Sequence, residues 1–337
     1  MLDPAVRAYL EYLESALEEA QADVTTSRVS TVSTEPSESP TTRMVITISQ
    51  SGRIKRTPRH LYSRQRRGGM GVFDLDTDED DPPALLTVAD VQDRLLIFTD
   101  HNRFFPLRVS ELAEAPVRAR GQLLSEWIPL QPNEKAAVVI PELSSTYLYL
   151  LSDRGWVRRV GGSQVVRLAP GTQLEVRAGH RPVAACWGNG DRDLFVVTRT
   201  GQGIRFEEKL VPIQGGCLGI RLDANDSALA LARVDDATGV FLLGDDGKGT
   251  IRQMSGFRAN KSPGAGGKTV MKVDRMIDAR SVGEDEDIFI ISRLSKLIRF
   301  AAADVPPKEG VVQGVNCISL RADEAVAFVV SDAGEPI

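Results

Sequence analysis

The spacing of apolar positions changes once along this chain. In residues 3–22, Val6, Tyr9, Leu10, Leu13 and Leu17 recur every three or four positions. Asp3 suits a helix cap and Pro4 the first helical position, so the pattern predicts an amphipathic helix within residues 1–24. Residues 25–43 then turn to Ser, Thr, Pro and Glu, too little apolar surface to offset the entropy of ordering, and read as a flexible linker. From residue 44 the helical period is gone. Six short apolar runs follow: MVITIS at 44, LLIFTD at 95, YLYLLSD at 147, LFVVTRT at 194, VFLLGDD at 240 and IFIISRL at 288. Each leads through a polar turn into a basic strand that reads as outward-leaning (SGRIKR, HNRFFP, RGWVRR, GQGIRF, GKGTIR, SKLIRF).

Taking Arg56, Pro106, Arg158, Arg205, Arg252 and Arg299 as markers of that second strand gives spacings of 50, 52, 47, 47 and 47 residues. A sustained period of this length is the mark of a repeat architecture. Glycines recur beyond each marker: Gly68, Gly69 and Gly71, then Gly121, Gly171, Gly216 and Gly219, Gly264, Gly266 and Gly267, and Gly310 and Gly314. Another apolar strand closes each repeat, from ALLTVAD at 84 to AVAFVV at 325. Units of about four strands that cannot bury both faces alone predict an all-β fold of six radial blades over residues 44–337.

Charge sharpens the picture. The 337 residues carry a net charge of −5. Residues 1–43 hold eight acids and three bases, so the rest is balanced. Within that balanced body, Arg53–Arg67 contains seven bases and no acid, and Lys248–Lys272 six bases and no acid. Two such runs favour a polyanion partner. The acid-rich N-terminal segment complements them and is expected to fold back over these bases and compete with that partner. Between the basic runs, FDLDTDEDD at 73–81 lacks the order of a calcium loop and reads as a solvated acidic loop, or as a competitor for Arg66 and Arg67.

Cys186, Cys217 and Cys317 are scattered, and His60, His101 and His180 have no metal-ligand spacing, so neither a disulfide framework nor a metal site is expected. No apolar run approaches membrane-spanning length and the N-terminus lacks the pattern of a signal peptide, which predicts a cytoplasmic protein. Trp127, Trp156 and Trp187 track the strands and read as core or blade-seam residues.

The first repeat's glycine phase is Gln65-Arg66-Arg67-Gly68-Gly69-Met70-Gly71. Glycines let backbone N–H groups approach a ligand, and arginines clamp phosphates bidentately. This stretch, with its flanks ITISQSGRIKRTPRHLYSR and LLIFTDHNRFFPLRVSELAEAPVRARGQLL, resembles the box of the C-terminal domain of the bacterial DNA gyrase and topoisomerase IV A subunits. The likeness runs through all six repeats. Met70 stands where that family usually has lysine. No tyrosine follows an arginine, so the family's strand-cleaving tyrosine is absent and no catalytic residue is expected. Ser262–Thr269 looks like a nucleotide-binding loop, but its first position is not glycine and no apolar strand precedes it.

The resemblance implies a six-bladed β-pinwheel that binds and wraps double-stranded DNA, monomeric in isolation and nucleoid-associated. Other topoisomerase subunits would be its partners, with no metal or organic cofactor. DNA contacts are expected from Arg53, Lys55, Arg56, Arg59, Arg64, the box residues Gln65, Arg66, Arg67, Gly68, Gly69, Met70 and Gly71, and from Arg103, Arg158, Arg205, Arg252, Arg258, Lys261, Lys268 and Arg299. The alternative is a propeller-like interaction scaffold that has lost DNA wrapping.

Overall fold

Each of the six apolar runs forms a strand that pairs antiparallel with the basic strand after it, in the computed structural model, which describes residues 38–332. The expected N-terminal helix, its competition with the body, and most of the expected linker lie outside the described residues. In blade one the order from the axis outward is Pro83–Asp90, Arg43–Ser49, Arg53–Pro58 and Gln122–Leu123. The last of these, two residues long, belongs to the second repeat. The same exchange recurs in every blade: the outer strands Thr172–Gln173, Cys217–Leu218 and Lys268–Thr269 complete blades two, three and four. Blade five takes both Pro307–Lys308 and Val315–Asn316. Val72–Phe73, from the first repeat, completes blade six and closes the ring.

The glycine phase follows from this exchange. Gly71 and Gly121 sit immediately before their outer strands at φ +70 and +71, and a Cβ there would lie 2.7 Å from the carbonyl oxygens of Leu297 and Ile54. Only glycine tolerates both the left-handed backbone and that approach.

The last long strand of each repeat is innermost. These strands contact one another in sequence around the axis, from Pro83–Asp90 to Ala325–Asp332 and back. They enclose a central channel of about 960 Å³ lined by Leu85, Val138, Ala184, Leu229, Ile277 and Val326. The buried apolar residues fall into six clusters, one per seam between adjacent blades. Ile46, Ile48 and Ile54 of blade one meet Leu95, Ile97 and Phe105 of blade two. Val45 of blade one meets Phe289 and Ile291 of blade six. Trp187 is buried in the seam of blades two and three, where Trp156 also packs, and Trp127 packs between blades one and two.

Register corrects two of the repeat markers. Arg56, Arg205 and Arg299 pair with Ile46, Phe195 and Phe289, at the fourth position of their strands. The equivalents in blades three and five are Arg159 and Ile251, not Arg158 and Arg252. One residue of slip turns a side chain to the other face.

The basic strand is also not outward-leaning. Arg56, Arg205 and Arg299 are 8%, 4% and 2% exposed. Each reaches across a seam to a backbone carbonyl of the next blade's 3-10 turn. Arg56 Nη1 donates to Val109 O at 3.2 Å, Arg205 Nη1 to Met254 O at 2.9 Å and Arg299 Nη1 to Tyr62 O at 3.1 Å. These guanidiniums are struts between blades.

The seam that closes the ring holds two buried polar clusters. Asp74, just after the strand donated to blade six, is fully buried and accepts from Lys55 Nζ at 2.5 Å, Thr47 Oγ1 at 2.7 Å and the Tyr62 hydroxyl. The residues after the other donated strands include Leu124, Leu174 and Val270, all apolar. The expected solvated acidic loop therefore begins with a core residue. Burial lowers the Lys55 pKa, and Asp74 opposes that shift. A second cluster joins blades one and six through Glu38, 2% exposed, which accepts from Arg59 Nε at 3.1 Å and Arg299 Nη2 at 2.5 Å. Glu38 and the first strand residue Arg43 fall within the span read as linker, so the packed body begins before residue 44.

Removing one partner of a buried ion pair strands the other charge. Asp74→Leu is therefore expected to lower unfolding free energy by about 3–5 kcal/mol, whereas Lys55→Met with Asp74→Leu recovers most of the loss. Urea unfolding of the two variants checks this. Equal destabilisation by both would remove the ion pair from the account of ring closure.

Candidate nucleic-acid interface

The loops that carry the donated strands form the outer rim, and backbone hydrogen bonds link three pairs of neighbouring loops. Gly68 N donates to Cys317 O at 2.8 Å and Ser319 N to Gly69 O at 2.9 Å, joining the sixth repeat's loop to the first. Arg118 N donates to Asp74 O at 2.8 Å and Asp76 N to Ala119 O at 3.1 Å, joining the first to the second. Gly264 N donates to Gly219 O at 2.9 Å and Arg221 N to Ala265 O at 3.0 Å, joining the fourth to the fifth. The box is thus clamped between the first and last repeats. Gln65 N also donates to Arg299 O at 2.7 Å, and the Gln65 side-chain oxygen accepts from Gly71 N at 3.3 Å.

The two box arginines differ. Arg66 is exposed. Arg67 is half-buried and donates to Asp304 O at 2.7 Å and Asn316 O at 3.1 Å, so it ties the box to the sixth repeat. Met70 is 59% exposed. Gly68, Gly69 and Gly71 shape the loop between them.

Of the other bases expected to contact DNA, Arg64, Arg258, Lys261 and Lys268 are exposed on rim loops. Arg64 forms an ion pair with the buried Asp287 at 2.8 Å. Arg53 and Arg158 are half-buried, and Arg158 donates to Glu175 O. Arg103 is held by Glu134 at 2.8 Å. Lys55, Arg56, Arg59, Arg205, Arg252 and Arg299 are buried, which corrects the expectation of direct contact: a phosphate reaches them only if a seam opens or a pocket leads inward.

The rim also carries bases that sequence reasoning misses: Arg118, Arg120, Arg167, Arg221 and Lys308 are exposed there. The signal is present in the glycine phase. Arg120 stands immediately before Gly121, as Met70 stands before Gly71, and Arg118 adopts φ +68 where Gly68 has φ +78. Asp78 of the acidic run faces Arg120 at 3.4 Å, a base of the second repeat rather than of the box. The nucleotide-loop lookalike ends in the donated strand Lys268–Thr269 and opens no helix. Among the described residues no group of three or more His, Cys, Asp or Glu is placed to hold a metal ion, and no helix is long and apolar enough to cross a membrane.

Comparison with known proteins places this geometry. The family described as DNA gyrase C-terminal domain, beta-propeller, matches residues 43–81, 192–235 and 286–331, within the first, fourth and sixth repeats. The DNA gyrase A subunit of Mycobacterium leprae is 31% identical over 317 residues, covering 87% of this chain and 24% of that one. The gyrase A subunit of Mycobacterium bovis is 29% identical over 314 residues, covering 87% and 36%, and that of Staphylococcus aureus (strain MRSA252) 28% over 314 residues, covering 88% and 35%. The chain therefore spans about a quarter to a third of the length of these relatives. A solved DNA gyrase A C-terminal domain matches with a TM-score of 0.75 at 20% identity over 85% of this chain and 98% of that one. The C-terminal domain of DNA topoisomerase IV matches at 0.61 and 17% identity over 87% and 94%. With six blades, a box at the closing seam and similarity along most of its length, this chain has the fold of the DNA gyrase C-terminal β-propellers and is similar to them in sequence.

Proposed function

We propose that this protein binds double-stranded DNA along its outer rim and bends it, as the wrapping module of a type IIA topoisomerase. The observation that carries the reading is the set of exposed bases on the rim loops, from Arg66 through Arg118, Arg120, Arg167 and Arg221 to Arg258, Lys261 and Lys268. Bases spread around a curved edge neutralise phosphates, release counterions and favour a bent duplex. Such contacts read backbone rather than base edges, so sequence preference comes from DNA deformability. The partners are duplex DNA and the remaining portions of the topoisomerase, in the cytoplasm at the nucleoid. We assign no catalytic step to this chain.

Arg66 and Arg67 divide the work of the box. Arg67, through its two backbone carbonyls, holds the loop shut, while Arg66 is available to a phosphate. Met70 occupies the position next to the glycine where Arg120 supplies charge in the second repeat.

Duplex affinity is expected to fall with salt at a log–log slope of about −0.9 per phosphate neutralised, with six or more phosphates engaged. Fluorescence anisotropy over a salt series measures it. A flat profile, or no binding at low salt, favours the interaction-scaffold reading.

Relaxed circular DNA closed in the protein's presence tests wrapping. Arg66→Ala is expected to leave stability within about 0.5 kcal/mol but to reduce the linking-number change. Arg67→Ala is expected to cost about 1–2 kcal/mol of stability as well. Met70→Lys is expected to steepen the salt slope by about 1 and strengthen the wrap. An Arg66→Ala protein that constrains as many supercoils as its parent would exclude Arg66 from the wrap.

A further inference from the structure

The seam between blades four and five contains a buried base, Arg252, that has neither an acid nor, as Arg56 has, a seam carbonyl as its hydrogen-bond partner among the described residues. At the fifth position of the basic strand, blades one to six carry Thr57, Leu107, Val160, Phe206, Arg252 and Phe300, paired respectively with Val45, Leu95, Leu148, Leu194, Val240 and Ile288. Four are apolar and pack into seams, and Thr57 is small. Only blade five places a charge there. Arg252 is 6% exposed, and its Nε and Nη1 are buried with no hydrogen-bond partner among the described residues.

The closing seam solves the comparable problem of Lys55 with Asp74. The residue in Asp74's place between blades four and five is Val270, which is apolar and buried. Arg252 instead faces a pocket of about 300 Å³ lined by Arg252, Gly256, Phe257, Arg258, Lys268 and Thr269. That lining holds three bases, one hydroxyl and no acid. The Arg252 guanidinium carbon lies 6.0 Å from the Phe257 ring centroid and Lys268 Nζ lies 5.8 Å from the same centroid, so two cations converge on one ring. Burial lowers the Arg252 pKa, with only Glu309 opposing it. The Glu309 carboxylate accepts from Ser255 Oγ at 3.3 Å and does not line the pocket.

The Phe257 ring attracts both cations, but it offsets only part of the cost of gathering like charges with one of them desolvated, and an anion between them would offset the rest. We propose that this pocket is a socket for one phosphate group, with the Arg252 guanidinium at its inner end and Arg258, Lys268 and the Thr269 hydroxyl around its mouth. A guanidinium presents paired N–H donors to phosphate oxygens, and a lysine adds a point charge. Lys268–Thr269 is the donated strand of blade four and Arg252 belongs to blade five, so an occupant staples the two blades together. The phosphate comes either from the backbone of wrapped DNA, which rests on the function proposed above, or from free phosphate.

The test uses the full chain and two variants. Arg252→Met replaces a buried charge with an apolar side chain of similar length and is expected to fold with equal or higher Tm in chloride. Lys268→Met alters only the exposed mouth. With inorganic phosphate as the probe, against chloride at matched pH and ionic strength, the parent Tm is expected to rise by about 2 °C at saturation. Both variants are expected to lose the rise. With duplex DNA, each variant is expected to reduce the salt slope by about 1. Loss of the phosphate response in both variants without DNA binding by the parent supports the socket for free phosphate and overturns the DNA reading. A reduced DNA slope without a free-phosphate response supports a socket specific to the DNA backbone. Parent and variants that bind DNA with equal slopes and respond equally to phosphate, or not at all, overturn the socket and leave DNA binding intact.

Discussion

An antiparallel sheet whose third strand has an open edge leaves backbone N–H and C=O groups for a neighbour to satisfy. In every blade of this protein that neighbour comes from the next repeat in the ring. The exchange makes each blade depend on the following one, and it gives the first repeat a distinct task. Its donated strand, Val72–Phe73, must find blade six at the far end of the chain. Closure is therefore a long-range event. The polar groups concentrated there, Lys55 with Asp74 and Glu38 with Arg59 and Arg299, give the junction a set of partners that the mainly apolar seams cannot mimic. The arginine- and glycine-rich box lies at this junction because it is the loop that delivers the closing strand.

The same geometry separates two populations of bases that are intermingled in sequence. Arg56, Arg205 and Arg299 sit on paired strands facing a neighbouring blade, and their guanidiniums satisfy seam carbonyls. Withdrawing one to meet a phosphate would leave buried acceptors unpaired. Bases on the donated loops have no such duty when they project outward, as Arg66, Arg258 and Lys261 do. The rim is uneven: the 212–218 loop of the fourth repeat has no base, while the fifth repeat's loop has three. A duplex following this edge would meet alternating strong and weak attachments.

The six repeats, their strands and the glycine phase are legible in the sequence because alternation, turn residues and a period near 47 all report the same unit. The exchange of outer strands is not, since two-residue strands leave no periodic signal. That gap accounts for the main errors at the site. Without the knowledge that loops are donated to the preceding blade, the basic strands look like the exposed edge, and Arg118 and Arg120 lack their relation to Met70. Arg158 and Arg252 pass for equivalents of Arg205 because arginine spacing cannot detect a one-residue slip in register. Asp74 looks like the start of a solvated run because six acids stand in nine residues. Its burial becomes apparent only when Lys55, Thr47 and Tyr62 are seen to converge on it.

Chemical footprinting locates a bound duplex on the molecule. Lysine acetylation and arginine modification by phenylglyoxal, mapped by mass spectrometry with and without a bound duplex, report which side chains DNA covers. Protection is predicted at Arg66, Arg118, Arg120, Arg258, Lys261 and Lys268, with Lys55 unreactive in both states. Protection confined to Arg154, Arg181 and Arg199, which line the central channel, with the rim bases equally reactive in both states, would exclude a rim-bound duplex.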